Sequence, residues 1–343
     1  MKRVAGVGLV VMLALGAARW AWVARSAPPA EAKPAAAWAE PHSRFLSVGG
    51  VALHFTEFGP SDGPAVVLVH GLLGSTADFA ELAPTLAAAG FHVLAVDRPP
   101  FGLSDKRAVA PMTAAAQADL LAAWLDALGL PQAAWLGHSA GGPVVAHLAL
   151  RHPERASKLI LVAPLLGSPA AGPGNPFTSP ALPAVAAIVL SALNPVAPWA
   201  EAELRAFFTD EQLRQFLDDQ LELARVNEAL AVGEARFTRV QGWEAGLRNL
   251  GRQILATRDT LQPSHLGELR MPVLLIWGEA DRFISPVLGR QLVDAIPTAR
   301  LVAYPNAGHQ PWRDVTADFV RQVVDFLKCS PFTKEAPKTI GFH

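Results

Sequence analysis

Ser139 lies in the pentapeptide Gly-His-Ser-Ala-Gly at positions 137–141, which is a G-x-S-x-G pattern. The pattern follows a short apolar run, Ala133 to Leu136, that predicts a strand, and it leads into Ala140 to Arg151, which predicts a helix. A sharp turn between strand and helix exposes the serine hydroxyl above the sheet, and the glycines remove side chains that would clash in the bend. We therefore predict that Ser139 is a nucleophile. The N–H of Ala140, at the start of the helix, is predicted to face a developing oxyanion.

A serine hydroxyl attacks at neutral pH only when a base takes its proton. His309 lies in a turn-like segment, Pro305 to Gln310, between the last predicted strand and the last predicted helix. Loops of this kind gather at the carboxyl edge of a parallel sheet. His92, His147, His152 and His265 have no such placement, and His42 and His343 lie near the ends of the chain. We therefore predict His309 as the general base.

An acid would accept the second imidazole N–H and orient the ring. Asp281 comes just after the predicted strand Pro272 to Trp277, at the same edge of the sheet. Glu279, two residues earlier, is the alternative acid. The segment from Ala163 to Ser168 contains no Asp or Glu, which excludes an acid directly after the strand that ends at Val162.

Two further loops follow predicted strands. His70, Gly71 and Leu72 come after the first buried strand, and the N–H of Leu72 could supply a second oxyanion donor. His70 itself is expected to pack the loop. For the segment from Asp97 to Asp105 we favour a conformationally fixed loop over a direct part in catalysis.

Short apolar runs alternate with helical patterns, which predicts an α/β fold with a doubly wound, mostly parallel sheet. The first two strands form a hairpin, predicted as Phe45–Val48 and Val51–Phe58. The other predicted strands are Ala65–His70, Phe91–Val96, Ala133–Leu136, Ser157–Val162, Pro272–Trp277 and Arg300–Tyr304. The predicted helices are Ser75–Ala89, Thr113–Leu128, Ala140–Arg151 and Val315–Leu327.

The alternation stops between residues 164 and 270. Closely spaced prolines make the first part irregular, whereas leucine and phenylalanine recur at helical spacing from Leu213 to Leu221. We predict a mostly helical lid at 164–270, inserted between two parts of the core, 44–163 and 271–328, with a C-terminal tail at 329–343.

The N-terminal segment has the layout of a targeting sequence. Two basic residues precede an apolar run from Val4 to Ala18, and further apolar residues with two tryptophans prolong it to Val23. We expect 1–26 to be a signal peptide or a membrane anchor, with membrane association through residues 4–23, and 27–43 to be a linker rich in Ala and Pro. The protein would then be exported or anchored, in the periplasm, outside the cell or at a membrane surface.

Charge and cysteine content restrict the partners. The formal net charge is −1, from 29 Lys plus Arg against 30 Asp plus Glu, and no basic run occurs. This balance excludes nucleic acid as the expected partner and favours a small or neutral substrate. The one cysteine, Cys329, cannot form an intramolecular disulfide and lacks the Cys/His company of a zinc site.

Four features in this chain order resemble the α/β-hydrolase superfamily, and within it the lid-bearing serine hydrolases of esterase or lipase type. They are His70-Gly71, Asp97 to Asp105, Gly137 to Gly142, and the pair Asp281 and His309. The resemblance covers residues 44–162 and 270–327. It implies a catalytic triad, an oxyanion hole, no metal and no cofactor. The triad would be Ser139, Asp281 and His309, and the oxyanion donors would be the N–H groups of Leu72 and Ala140.

The chain departs from the family pattern at Pro100, and the residue type at position 139 limits which reactions are expected. Pro100 stands where the family usually has glycine, which puts the shape of that loop in doubt. Ser139 stands where haloalkane dehalogenases and epoxide hydrolases of this fold use aspartate, so neither of those reactions is expected.

The expected reaction is hydrolysis of a carboxylic ester through an acyl-enzyme on Ser139. The apolar side chains of the predicted lid favour a small-molecule ester of hydrophobic character. With the same triad, the alternatives are hydrolysis of an amide, a lactone or a carbon–carbon bond beside a ketone, and acyl transfer to an acceptor other than water. A reading from a different class is a catalytically silent, membrane-tethered binding protein.

Overall fold

The computed structural model describes residues 33–72, 74–107, 112–166, 240–242, 246, 250, 261, 263–281, 283–329 and 339–341. Within these ranges no helix has the length and apolar character needed to cross a bilayer. The predicted targeting segment and nearly all of the predicted lid, including the stripe from Leu213 to Leu221, lie outside the described residues.

The described strands form one nine-stranded sheet. In chain order they are β1 (Ser43–Val48), β2 (Val51–Phe58), β3 (Ala65–Val69), β4 (His92–Val96), β5 (Ala133–His138), β6 (Ala156–Val162), β7 (Val273–Gly278), β8 (Ala299–Tyr304) and β9 (Thr339–Gly341). Their spatial order is β1-β2-β4-β3-β5-β6-β7-β8-β9. The β1–β2 and β2–β4 pairs are antiparallel, and the other pairs are parallel. The predicted mostly parallel sheet is therefore confirmed.

Helices cover both faces of this sheet. They are α1 (Leu82–Ala88), α2 (Ala114–Ala127), α3 (Gly141–Arg151), α4 (Pro263–Leu266), α5 (Val287–Ala295), α6 (Pro311–Asp314) and α7 (Thr316–Lys328). Apolar residues of α2, α3 and α5 pack on one face, and those of α1 and α7 pack on the other. This is the doubly wound arrangement that alternating strands and helices predict.

The core has two layers because successive side chains of a strand point to opposite faces of a sheet. In β7, Val273, Leu275 and Trp277 belong to one layer, whereas Leu274 and Ile276 belong to the other. All five are fully buried. Burial of each such side chain contributes about 1.5–3 kcal/mol to the stability of the fold. The central strands are therefore stable supports for the loops at their carboxyl ends.

The predicted helix Ser75–Ala89 is divided in the structure. A 3-10 turn at Thr76–Phe79 is capped by Ser75, whose hydroxyl accepts from the N–H of Ala77 at 3.2 Å. The α-helix begins only at Leu82, which places Pro84 in its first turn. Proline lacks an N–H and is tolerated there but not farther inside a helix, which accounts for the division.

Besides the short helices α4 and α6, helix α5 and strand β9 were not predicted from the sequence. Helix α5 contains Gly289, which weakens the helical signal, but a side chain there would lie 3.0 Å from the Trp277 ring, so glycine permits the close packing of α5 on β7. Strand β9 lies in the segment predicted as a tail and pairs in parallel with β8. A three-residue strand has too little sequence pattern to be recognised before its partner is known.

Candidate active site

Ser139 forms a strained turn between β5 and α3. Its φ is +49°, a left-handed value that is uncommon for a residue other than glycine. Three backbone hydrogen bonds hold the turn: the Ser139 N–H donates to the carbonyl of Val162 at 3.0 Å, and the Ser139 carbonyl accepts from Gly142 and Leu165 at 2.9 Å each. The surrounding structure therefore fixes a conformation that the residue alone would avoid.

The glycines around Ser139 allow this turn to pack closely. A Cβ at Gly141 would lie 2.4 Å from the carbonyl oxygen of Val69, and a Cβ at Gly137 would lie 2.5 Å from a methyl group of Val145. Both distances are far below van der Waals contact. The spacing of the G-x-S-x-G pattern thus has a steric cause in this fold.

Asp281 and His309 are brought together after β7 and β8. The Asp281 Oδ2 atom is 2.8 Å from Nδ1 of His309, so the neutral imidazole carries its hydrogen on Nδ1. The Oδ1 atom of Asp281 accepts from the N–H groups of Phe283 at 2.8 Å and Ile284 at 3.0 Å. Both carboxylate oxygens are therefore occupied, and Nε2 of His309 keeps a lone pair that can accept a proton.

The turns that carry the acid and the histidine are joined through their backbones. The N–H of Glu279 donates to the carbonyl of Tyr304 at 2.8 Å, and the N–H of Ala280 donates to that of Ala307 at 3.0 Å. A Cβ at Gly278 would lie 2.1 Å from the same Ala307 oxygen, so the absence of a side chain permits this approach. The side chain of Glu279, the alternative acid, is exposed and does not pair with the histidine.

The loop after β3, which is the predicted oxyanion loop, lies against Ser139. A Cβ at Gly71 would be 3.1 Å from Cβ of Ser139, which places the backbone of this loop beside the serine. Among the described residues, the N–H groups of Leu72 and Ala140 have no hydrogen-bond acceptor. Backbone donors left open beside a serine can bind a developing negative charge.

Buried polar residues hold the oxyanion loop from behind. The Arg98 guanidinium donates to the carbonyls of His70 and Gly71, at 2.9 Å each, and to the side-chain oxygen of Gln117 at 2.8 Å. Burial lowers the pKa of Arg98 to about 10, so the group remains charged at neutral pH. This role of Arg98 was not predicted. Its only signal in the sequence is its place directly after Asp97, within a segment already expected to be fixed.

His70 has the packing role that the sequence predicts. Its Nδ1–H donates to the carbonyl of Gly71 at 2.8 Å, and its Nε2 accepts from the backbone N–H of Arg98 at 2.9 Å. Burial, assisted by the charge of Arg98, lowers the pKa of His70 to about 3. The ring is therefore neutral, and both of its nitrogens are used to fix the loop.

The segment from Asp97 to Asp105 is a fixed loop. Asp97 accepts from the N–H groups of Thr76 at 2.6 Å and Leu103 at 2.7 Å, and from Nδ1 of His54 at 2.7 Å. Lys106 donates to three carbonyls of the same loop, those of Pro100, Gly102 and Ser104. At the departure from the family pattern, the Pro99–Pro100 peptide bond is cis.

No hydrogen bond joins Ser139 Oγ to Nε2 of His309 in the part of the chain that the structure describes. Such contacts are often long in enzymes without substrate and tighten in the complex. The turn of Ser139 is nevertheless close to His309, because the ring of the preceding residue, His138, lies 4.7 Å from that of His309. Phe283 also contacts the His309 ring, at 5.2 Å between centroids. Neither aromatic neighbour of the histidine was predicted.

The described residues contain no group of three or more His, Cys, Asp or Glu side chains arranged to hold a metal ion. The described residues of the site offer a hydroxyl in a strained turn, an imidazole oriented by a buried carboxylate, and two open backbone donors.

Known proteins have sequences similar to that of this chain. The chain matches the alpha/beta hydrolase fold family over residues 64–311. It is 30% identical to a 2-hydroxy-6-oxononadienedioate/2-hydroxy-6-oxononatrienedioate hydrolase of Cupriavidus pinatubonensis, over 83% of this chain and 95% of the relative. It is 29% identical to a 2-hydroxy-6-oxo-6-phenylhexa-2,4-dienoate hydrolase of Burkholderia cepacia, over 83% of this chain and 96% of the relative.

Solved structures agree in fold. The enol-lactonase from Burkholderia xenovorans superposes with a TM-score of 0.59 at 24% identity, over 83% of this chain and all of that one. The family match over residues 64–311 includes β3 to β8 and the loops that carry the site residues. The chain belongs to the α/β-hydrolase family.

Proposed function

We propose that this hydrolase cleaves carboxylic esters of hydrophobic small molecules through an acyl-enzyme on Ser139. His309 takes the hydroxyl proton as Ser139 Oγ bonds to the ester carbonyl carbon, and the N–H groups of Leu72 and Ala140 bind the oxyanion. The tetrahedral intermediate then expels the alcohol, which takes the proton from His309. Water repeats the sequence on the acyl-enzyme: it loses a proton to His309, the acid is released, and Ser139 regains its hydrogen.

The observation that carries this proposal is the 2.8 Å hydrogen bond between Asp281 and His309, on the loops beside the strained turn of Ser139. The buried Asp281 carboxylate accepts two backbone N–H groups and also the Nδ1–H of His309. A carboxylate in this position fixes the tautomer of the imidazole and stabilises the imidazolium.

Among the described residues, the directions of the two buried cations favour a neutral ester over an anionic substrate. Two buried cations of this edge, Arg98 and Lys106, point into the protein and donate to carbonyl or amide oxygens. These hydrogen bonds point the two charges at oxygens of the protein and not at a bound substrate. A neutral ester needs no cation in the site, whereas a substrate with carboxylate groups would gain from one.

The second candidate is hydrolysis of a carbon–carbon bond beside a ketone, and the similar proteins favour it. The compounds in their names are carboxylates with a 6-oxo group and no ester or amide, so their hydrolysis breaks a carbon–carbon bond. The same triad could carry out that reaction. Amide or lactone hydrolysis, and acyl transfer, remain alternatives on the same acyl-enzyme.

One substrate panel distinguishes these reactions. We would measure kcat/KM for p-nitrophenyl esters from acetate to dodecanoate beside 2-hydroxy-6-oxo-6-phenylhexa-2,4-dienoate, an anilide and a lactone. Ester hydrolysis predicts the highest kcat/KM on an ester, with a maximum at a medium or long acyl chain. A higher value on the dienoate would replace the proposal by carbon–carbon hydrolysis. Failure of a fluorophosphonate probe to label the folded protein would favour a non-catalytic binding protein instead.

We also propose that segment 1–26 exports or anchors the protein, on the sequence pattern of residues 4–23 alone. Fractionation of cells that express the full chain tests this proposal. Recovery in the membrane fraction indicates an anchor, and recovery of a shortened chain outside the cytoplasm indicates a cleaved signal peptide. A full-length protein in the cytoplasm would contradict both.

A further inference from the structure

His138 is buried between the turn of Ser139 and the turn of His309. Its Nε2 atom is 3.1 Å from the backbone carbonyl oxygen of His309. Its ring lies 4.7 Å from the His309 ring and meets the Trp312 ring edge-on, also at 4.7 Å. The residue adjacent to the nucleophile therefore contacts both the main chain and the side chain of the base.

The contacts of His138 fix its tautomer. A carbonyl oxygen only accepts, so the hydrogen of the neutral ring must be on Nε2. The Nδ1 atom is buried, and no described residue supplies it with a hydrogen-bond partner. A Cβ at Gly71 would lie 3.1 Å from this Nδ1, so the lone pair faces the backbone of the oxyanion loop at close range.

His138 also stays neutral. Burial is the largest cause that lowers its pKa well below the ordinary value, and the charge of His309 acts in the same direction. His70 and Arg313 oppose protonation further, whereas the hydrogen bond to the His309 carbonyl favours it and is outweighed. The proton that His309 would gain during turnover therefore does not pass to His138.

We propose that His138 is a positioning residue, whose Nε2–H holds the main chain of His309 and thereby sets the distance between the base and Ser139. Among the described residues, this is the hydrogen bond that links the nucleophile turn to the base turn. The bonds of Ala280 and Glu279 tie the base turn to the acid turn instead. The inference rests on the proposed function, because it assigns the geometry of that same triad.

The proposal predicts a loss in kcat with little change in KM. Loss of the Nε2–H leaves the His309 carbonyl without this donor and allows the base turn to move relative to Ser139. Displacements of about 1 Å reduce rates by about 100-fold in positioned reactions. We expect substrate binding not to use His138, which is only 3% exposed.

The test compares three substitutions at His138 with a matched control. His138→Gln can place an amide N–H where Nε2 lies, His138→Asn places one nearer to Nδ1, and His138→Phe keeps the ring without a donor. Trp135→Phe is the control: it removes a ring N–H that donates to the carbonyl of Arg155 at 2.9 Å, three residues before His138 on the same strand.

We would measure the rate of fluorophosphonate labelling, and kcat and KM on p-nitrophenyl butyrate, with thermal unfolding to confirm folding. The expected order of labelling rates is wild type, then His138→Gln, then His138→Asn and His138→Phe about 10- to 100-fold below wild type. Trp135→Phe should label at the wild-type rate, although it loses a comparable hydrogen bond.

Equal rates for His138→Phe and wild type would overturn the proposal, and so would a His138→Gln variant that is folded but slower than His138→Phe. If His138→Phe does not fold, the comparison of Gln with Asn decides, since only Gln can restore the bond to His309. Absence of labelling in the wild type would instead show that the proposed function is wrong, which separates the two failures.

Discussion

The structure contains two Ser-His-Asp sets of similar composition. In one, Ser43 Oγ is 2.8 Å from Nε2 of His54, whose Nδ1 is 2.7 Å from Asp97. In the other, Nδ1 of His309 is 2.8 Å from Asp281, and Ser139 lies on the adjoining turn. By hydrogen bonds alone, the first set is the more complete.

The two sets differ in what is left unpaired. The hydroxyl of Ser43 donates to His54 and accepts from the N–H of Glu40 at 2.9 Å, and the His54 side chain is only 3% exposed. The side chain of His309 is 17% exposed. In the second set, Ser139 Oγ, the His309 Nε2 and the two backbone N–H groups beside the serine have no partner among the described residues. A set with every polar atom satisfied is a structural link, whereas chemistry needs groups that a substrate can complete.

The largest difference is expected between the two serines. Ser139→Ala should abolish fluorophosphonate labelling and lower kcat by roughly 10⁶-fold, because the nucleophile is lost. Ser43→Ala should label at the wild-type rate and lose only about 1 kcal/mol of stability, from its hydrogen bonds to Glu40 and His54. Mass spectrometry of the labelled protein checks both. A label on Ser43, or a Ser139→Ala variant that still turns over, would reverse the comparison.

Asparagine in place of each aspartate should separate catalysis from stability. Asp281→Asn should lower kcat by roughly 10⁴-fold in a folded protein, because His309 loses the partner that fixes its tautomer. Asp97→Asn should instead destabilise the fold by about 3–5 kcal/mol, because a buried pair and two backbone donors lose their carboxylate. Urea unfolding and ester kinetics are measured on both variants. If the two variants lost kcat and stability to the same extent, the two aspartates would not have distinct roles.

The glycine beside each set provides a smaller contrast. In Gly71→Ala the new Cβ lies 3.1 Å from both His138 Nδ1 and Ser139 Cβ, so a small shift of the oxyanion loop should lower kcat by about 10- to 100-fold. In Gly102→Ala the Cβ would lie 1.9 Å from Oδ2 of Asp97, at a φ of +53°. That variant should lose about 1–3 kcal/mol of stability, as measured by urea unfolding. Unchanged kcat in Gly71→Ala would contradict the assignment of the oxyanion loop.

The smallest expected effect is on the pH dependence of stability. Folded His70 has a pKa of about 3, lowered by burial and then by Arg98, whereas the unfolded chain titrates near about 6.5. Below that pH the unfolded chain binds a proton that the folded chain does not, so this contribution falls as the pH drops from about 6.5 toward 3. The urea midpoint of His70→Asn should therefore fall less than that of wild type between about pH 7 and about pH 5.

Asp97 acts in a lower pH window. Burial alone would raise its pKa, but the charge and hydrogen bond of His54, followed by the electrostatic effect of His70 and the N–H of Leu103, lower it below the ordinary value. The contribution of Asp97 to stability is present above the unfolded pKa of about 3.9 and is lost as the pH falls through the folded value.

The His70 prediction has a contradicting outcome. If the urea midpoint of His70→Asn fell as much as that of wild type down to about pH 5, groups other than His70 would cause the loss of stability.

The sequence predicted most of the sheet because its strands are continuous apolar runs that repeat at intervals a helix can fill. It did not predict helix α5, whose pattern is interrupted by Gly289, or strand β9, which is defined only by pairing with β8. It also placed one helix across Ser75–Ala89, where Pro84 requires a new start.

Local pattern was enough to single out Ser139, since a strand, two glycines and a helix lie within a few residues of one another. The choice between Asp281 and Glu279 depended on the path of one turn, and the structure placed Asp281 against His309 while leaving Glu279 exposed. Only the tertiary structure showed that Ser43 also joins a histidine and an aspartate, and that His138 reaches the carbonyl of a residue 171 positions away. Periodicity records which face of an element is buried, whereas contacts between distant loops arise only when the sheet brings the strand ends to one edge.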